Sequence, residues 1–161
     1  MTSQMQPAIV QPGGGRELRA FGDVLSVVLG GETTNQTFTV MFDTTPPGNG
    51  PPPHFHSMED ELFLVVEGHI SFFVEGTWTE VAPGGAVYFP RGTTHCYRNV
   101  GTTPSRQWIL TTPSGFEQFF ARCADEFARP GEPSMERIVG FARDHGIEFV
   151  TDTDGSSTGA A

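Results

Sequence analysis

His54 and His56 stand two residues apart, Glu61 follows closely, and His95 opens a later apolar run. On an extended segment, residues two apart point to the same side. Three imidazoles and one carboxylate suit a borderline divalent transition metal such as Fe, Mn, Co, Ni, Cu or Zn. Four protein ligands leave one or two positions open on a metal that accepts five or six, and open positions are what catalysis needs. One such ion per chain is the expectation. The remaining titratable groups read as bystanders. Glu59 and Asp60 read as surface charges on the loop before Glu61, and His69 and His145 as solvent-facing. Cys96 and Cys123 read as small apolar fillers, with no base partner to make either a nucleophile.

The elements that must position these residues are short. The chain has 161 residues, enough for one core without staples. Its 20 Gly and 13 Pro are spread between brief apolar runs, as in an all-β protein with many turns. Val24 to Leu29 is one such run. From Gln36 to Asp43 the chain alternates, with Phe38, Val40 and Phe42 on one face and Thr37, Thr39 and Met41 on the other. A Pro- and Gly-rich loop from Thr45 to Pro53 then delivers His54 at a defined angle. Further strands are expected over Glu61 to Glu67, Ile70 to Glu75, Trp78 to Val81, Val87 to Phe89, His95 to Asn99 and Arg106 to Thr111.

The period changes after Thr111. Ser114 and Glu117 have capping-box spacing, and Phe116, Phe119, Phe120 and Cys123 repeat at helical intervals. That Phe stripe reads as packing, within the chain or against a partner. Met135, Ile138, Val139 and Ala142 form a second helical stripe that ends at His145-Gly146. The organisation expected is a flexible arm over 1–16, a β-barrel over 17–112, a helical extension over 113–150 and a disordered tail over 151–161.

Charge and composition exclude several classes. The net charge is −10 and the pI about 4.7, which disfavours nucleic-acid backbones and anionic membrane surfaces. All nine basic residues are Arg, so lysine chemistry is excluded. The opening residues are polar and no apolar run approaches a membrane span, so a cytoplasmic protein with free thiols is expected.

Two longer patterns make the reading specific. Gly48, His54, His56, Glu61 and Gly68 fall at the spacing of the first cupin motif, and Gly84, Pro90, Gly92, His95 and Asn99 at that of the second. The chain therefore resembles the cupin superfamily, and around His54 to Gly68 it looks like single-domain bacterial quercetinase-like members. The resemblance covers residues 36–112. It implies a cupin-type β-barrel (a double-stranded β-helix or jelly roll), here followed by two C-terminal helices. It also implies metal ligation by His54, His56, Glu61 and His95. Gly84, Gly92 and Asn99 read most simply as turn residues.

Alternation gives an expected pocket of Met41, Phe63, Val65, Phe89, Tyr97, Trp108 and Leu110 around the metal. Such a cavity suits a small aromatic or other apolar molecule bearing one or two oxygens. The function expected is a metal-dependent dioxygenase on a small aromatic, flavonol-like substrate, with O2 as co-substrate and Glu61 as proton acceptor. The alternatives are a non-oxidative isomerase, cyclase or lyase at the same site, and a non-catalytic ligand binder. Sheet edges and apolar barrel surface point to a homodimer, which the resemblance supports.

Overall fold

In the computed structural model, which describes residues 5–150, the alternating stretches pair into two facing sheets. The first four residues of the expected arm, and the tail over 151–161, lie outside the described residues. The strands are β1 Arg16–Ala20, β2 Asp23–Leu29, β3 Thr39–Thr45, β4 His54–His56, β5 Asp60–Glu67, β6 Ile70–Val74, β7 Thr77–Val81, β8 Ala86–Phe89, β9 His95–Asn99, β10 Ser105–Thr112 and β11 Ile147–Phe149. The helices are α1 Gly31–Thr34, α2 Phe116–Phe127 and α3 Met135–Asp144. One sheet runs β1-β2-β3-β10-β5-β8 and the other β11-β4-β9-β6-β7. Every described pairing is antiparallel. This is the all-β, jelly-roll architecture expected, with two helices near its C-terminal end.

Period-two alternation sets which side chains meet. In β3, Thr39, Met41, Asp43 and Thr45 are buried while Val40, Phe42 and Thr44 are only partly so. In β5, Glu61, Phe63 and Val65 point inward. A register slip of one residue would exchange these sets, so the buried face locks the pairing. Between the sheets, Phe63, Phe72, Phe89 and Tyr97 form an aromatic cluster with ring centroids 5.3–6.3 Å apart. Removing one of these rings would cost about 3–5 kcal/mol.

Trp108 and Leu110 are the exceptions to the expected pocket. Trp108 lies opposite Phe42, and Leu110 opposite Val40, so both share the outer face of the sheet. Trp108 packs edge-on against Phe42 at 4.7 Å. The inward residue between them is Ile109, which pairs with Met41. Alternation within β10 misleads here, because the inward parity is Ser105, Gln107, Ile109 and Thr111, while the larger apolar residues Trp108 and Leu110 share the outward one.

The Pro/Gly loop before β4 is pinned from β9. Gly48 N donates to Asn99 O at 2.9 Å, and Asn99 N donates to Asn49 O at 2.9 Å. The Asn99 carboxamide donates to Thr45 O and Thr103 O and accepts from Gly101 N. Asn99 is fully buried and ties three segments together, a larger role than that of a turn residue. Gly50 is required by close approach, since a Cβ there would lie 1.9 Å from Tyr97 O.

Helix α2 starts differently from the expected capping box. Ser114 Oγ donates to Gln36 Oε1 instead of capping the helix, and the N-cap is Gly115. Glu117 still reaches back, accepting from Gly115 N, and it also accepts from Gly31 N and Thr39 Oγ1. One carboxylate thus moors α2 to both α1 and β3. Glu126 joins α2 to α3, accepting from Ser134 N and from the Arg137 guanidinium. The helices do more than cover barrel surface: Phe116, Phe119 and Phe120 of α2 form part of the wall of an internal cavity. Among the described residues, no helix is long and apolar enough to cross a membrane.

Candidate metal centre

Four side chains from three strands converge between the sheets. His54 and His56 come from β4, His95 from β9 and Glu61 from β5 of the opposite sheet. One ligand atom from each lies within 4.8 Å of the others, and all four residues are buried. His54 sits directly opposite His95 across the β4–β9 pair. The spacing of His54 and His56 places both rings on the inner side of β4, as period two requires.

Each imidazole is oriented through its outer nitrogen. His54 Nδ1 lies 2.9 Å from Pro52 O, and His95 Nδ1 lies 2.8 Å from Thr93 O. A carbonyl only accepts, so both Nδ1 atoms carry a proton and Nε2 is the atom each ring can offer a metal. His56 Nδ1 lies 3.2 Å from Glu59 Oε2, and among the described residues the buried His56 Nε2 has no hydrogen-bond partner. Phe89 stacks on the His95 ring at 4.1 Å and 13°, which fixes its plane.

The centre favours a cation. Glu61 Oε2 lies 2.9 Å from His95 Nε2 and 3.4 Å from His56 Nε2. Lone pairs of three imidazoles and a carboxylate repel one another at such distances unless a proton or metal lies among them. Burial opposes charge on Glu61, but His56 and the hydrogen bond from His95 outweigh it and hold the carboxyl down to about 2. Burial, reinforced by His95 and His56, pushes His54 down to about 3, so that ring stays neutral and able to ligate. The donor chemistry, the fixed tautomers and the orphaned His56 Nε2 all fit a divalent transition metal.

Glu59 corrects the surface reading. It is 4% exposed and holds the His56 ring. Its place three residues after His56 was the available signal, although nothing in that spacing says the carboxylate turns inward. Asp60 is partly buried and clasps Arg91 through its backbone N–H and its guanidinium. Glu59→Ala should weaken metal affinity about 10- to 100-fold by freeing the His56 ring, with Glu59→Gln restoring most of it. Metal competition against a chelator checks this, and equal affinities would show that the bond does not position the ring.

An open, apolar cavity of about 170 Å³ adjoins the centre, with His54 and Glu61 on its wall. Of the expected pocket residues, Phe63 and Tyr97 line it. Met41, Val65 and Phe89 point inward but are packed into the core. Residues outside the expected pocket complete the wall, among them Asp23, Asp43 and Asn49, the three α2 phenylalanines, and Ile147 and Phe149 of β11. Asp43 shares the parity of Met41, so its inward direction was legible. β11 gave no signal, since it follows the helix end at once and spans three residues.

The other singled-out groups stand apart. His69 is exposed and pairs with Glu80. His145 is partly buried and caps α3 beside Arg122 and Phe119. Cys96 and Cys123 are free and buried, and burial pushes them up to about 11 and 12, which removes thiolate reactivity at neutral pH.

Comparison with known proteins agrees with this geometry. Residues 41–110 match the cupin domain family. A quercetin 2,3-dioxygenase from Bacillus subtilis is 25% identical over 135 residues, covering 82% of this chain and 40% of that protein. The chain thus spans about two-fifths of the length of the curated relatives it matches. Among solved structures, a predicted oxalate decarboxylase from Thermotoga maritima superposes with a TM-score of 0.61 at 18% identity, covering 66% of this chain and 99% of that one. The polyketide cyclase RemF from Streptomyces resistomycificus gives 0.59 at 22% identity, covering 68% and 81%. These likenesses concern the fold. The residues that match the cupin domain family, 41–110, contain all four converging side chains.

Proposed function

We propose that the chain is a metal-dependent dioxygenase acting on small aromatic, flavonol-like substrates. The observation that carries this reading is the shared wall: His54 and Glu61 border a cavity whose other walls are mostly aromatic and aliphatic. An apolar cavity near 150 Å³ holds a benzene-sized molecule, so one ring fits inside and a larger substrate extends through the mouth. The sequence likeness to a quercetin dioxygenase supports the same substrate class.

His54, His56, Glu61 and His95 would hold one divalent transition metal. That ion would supply Lewis acidity and a point where a substrate oxygen and O2 meet. The chain's own residues do the rest. Apolar walls align the ring and exclude water. The depressed Glu61 carboxyl is ionised through the neutral range, the form that accepts a substrate hydroxyl proton. Among the described residues, hydrogen bonds reach Glu61 only at Oε2, which leaves Oε1 for that proton.

O2 uptake with a flavonol tests the reaction. In protein reconstituted to equal metal content, Glu61→Ala should lower kcat by about 100-fold or more and substrate affinity by less than about 3-fold. Equal losses would leave Glu61 a holding role only. Substrate turnover without O2 uptake would favour the non-oxidative alternative.

The proposal includes a cytoplasmic homodimer. Its face would be the outer side of the first sheet, where Phe42, Leu64, Val66, Tyr88 and Trp108 leave apolar surface exposed or half-buried. Light scattering should return twice the 17.4 kDa chain mass, and a mass of one chain would remove this part.

A further inference from the structure

The polar side chains on the cavity wall away from the metal centre form a network of their own. Asp23 and Asp43 are 7% and 1% exposed. Three donors converge on Asp43 Oδ2: Thr45 Oγ1 at 2.8 Å, Tyr97 Oη at 3.2 Å and Gln107 Nε2 at 3.2 Å. Asn49 Nδ2 donates to Asp23 Oδ1 at 2.8 Å. The Thr45 and Tyr97 hydroxyls also lower Asp23, and the Asp43 charge raises it, so the two acids belong to one network. Among the described residues, no Arg or His forms an ion pair with either acid.

Two further observations separate this network from ordinary core hydrogen bonding. Gln107 is 1% exposed, yet among the described residues its Oε1 has no hydrogen-bond partner while its Nε2 serves Asp43. An unpaired buried amide oxygen costs about 1–3 kcal/mol. Asp23, Asp43, Asn49 and Tyr97 all line the same cavity as His54 and Glu61. Besides His54 and Glu61, these are the polar side chains that this mostly apolar wall offers a ligand.

We propose that the Asp23–Asp43 pair, with Tyr97 and Asn49, is a second recognition point in the cavity that binds a hydroxyl on the substrate's end remote from the metal centre. This rests on the reading that the cavity takes a small aromatic molecule. Burial and the Asp43 charge push Asp23 up to about 7, so near neutrality its carboxyl occurs both protonated and ionised and can donate to a hydroxyl or accept from one. Tyr97 sets the scale. It follows His95 by two residues on the same face of β9, roughly 7 Å along a strand. The substrate class is therefore an aromatic molecule, one ring or two fused rings long, with metal-binding oxygen at one end and a hydroxyl donor at the other.

The test is equilibrium titration of the metal-loaded protein under nitrogen. The probes are 2,3-dihydroxynaphthalene and the trihydroxynaphthalene with one further hydroxyl on the distant ring. The native protein should bind the trihydroxy compound about 10- to 100-fold more tightly, as expected for a hydrogen bond to a charged buried pair. Asp23→Leu, close in size but unable to hydrogen-bond, should bring the two affinities within about 3-fold of each other. Tyr97→Phe should narrow the preference too, and it serves if the first variant does not fold. Equal binding by the native protein, a preference that survives both variants, or no binding of either probe would overturn the proposal. O2 uptake with the same compounds separates the two readings. The preference without uptake keeps the recognition point and removes the dioxygenase; uptake without the preference does the reverse.

Discussion

His56→Ala will purify with less than about a tenth of the transition metal carried by the native protein, which will hold about one ion per chain. The reason lies in what the ring connects. His56 is 2% exposed, its Nδ1 is held by buried Glu59, and among the described residues its Nε2 has no hydrogen-bond partner, lying 3.4 Å from Glu61 Oε2. Truncation deletes one of four donors and leaves the Glu59 carboxylate buried opposite a void. His54, Glu61 and His95 would remain, but an ion that prefers five or six ligands would then draw three from the protein. Elemental analysis reads the stoichiometry. A second readout is independent of activity: added metal should raise the native melting temperature, since a ligand at 100 times its Kd stabilises by about 2.7 kcal/mol. The variant should show little rise at the same concentration. A variant that kept full stoichiometry would place the ion elsewhere.

Much of that centre is legible in the amino-acid sequence. Two histidines at period two, a carboxylate at the head of a strand and a third histidine at the head of another are local facts, and strand alternation carries them inward. The aromatic partner Phe63 is legible for the same reason, being two residues beyond Glu61 on one face. Trp108 and Leu110 are not, because the inward parity of β10 is the more polar one, Ser105, Gln107, Ile109 and Thr111, and only its register against β3 decides which face meets the core. Alternation works where the apolar parity faces the core, and it misleads where the buried parity is the more polar one.

The residues missed at the site were missed for a different reason. Phe116, Phe119 and Phe120 form an amphipathic helical stripe, and such a stripe announces burial without naming what it is buried against. Here it closes a cavity. Glu59 carries a charge in a loop, where exposure is the ordinary outcome; only a partner in space, the His56 ring, makes its burial favourable. Asp23 and Asp43 belong to different strands, and their meeting is a property of the β2–β3 register. In each case the deciding information is a long-range contact, which periodicity does not contain.

Asp23→Asn should stabilise the protein at pH 8 and do so progressively less toward pH 4. Burial first, and the Asp43 charge second, push the Asp23 carboxyl up to about 7. In the unfolded chain it titrates near 3.9. Below about pH 4 both states hold the proton and the group contributes no difference. Between about pH 4 and 7 the unfolded chain releases the proton while the folded one keeps it, so ionisation draws the equilibrium toward unfolding. Above about 7 both states are ionised and the full penalty stands, on the order of 4 kcal/mol as an upper bound. Asparagine keeps the shape and has no charge to lose. Each kcal/mol moves the melting temperature of a domain this size by about 2–4 °C, so the gain at pH 8 should be several degrees. Melting curves of the two metal-free proteins from pH 4 to 8 read it directly. A variant less stable than the native protein across that whole range would mean that the folded state prefers an ionised Asp23 and satisfies it. The predicted pattern instead marks a carboxyl kept in a costly place, and the same side chain is the one assigned to the substrate's remote hydroxyl. Stability gained by removing it and selectivity lost with it would be two consequences of one buried acid facing a cavity.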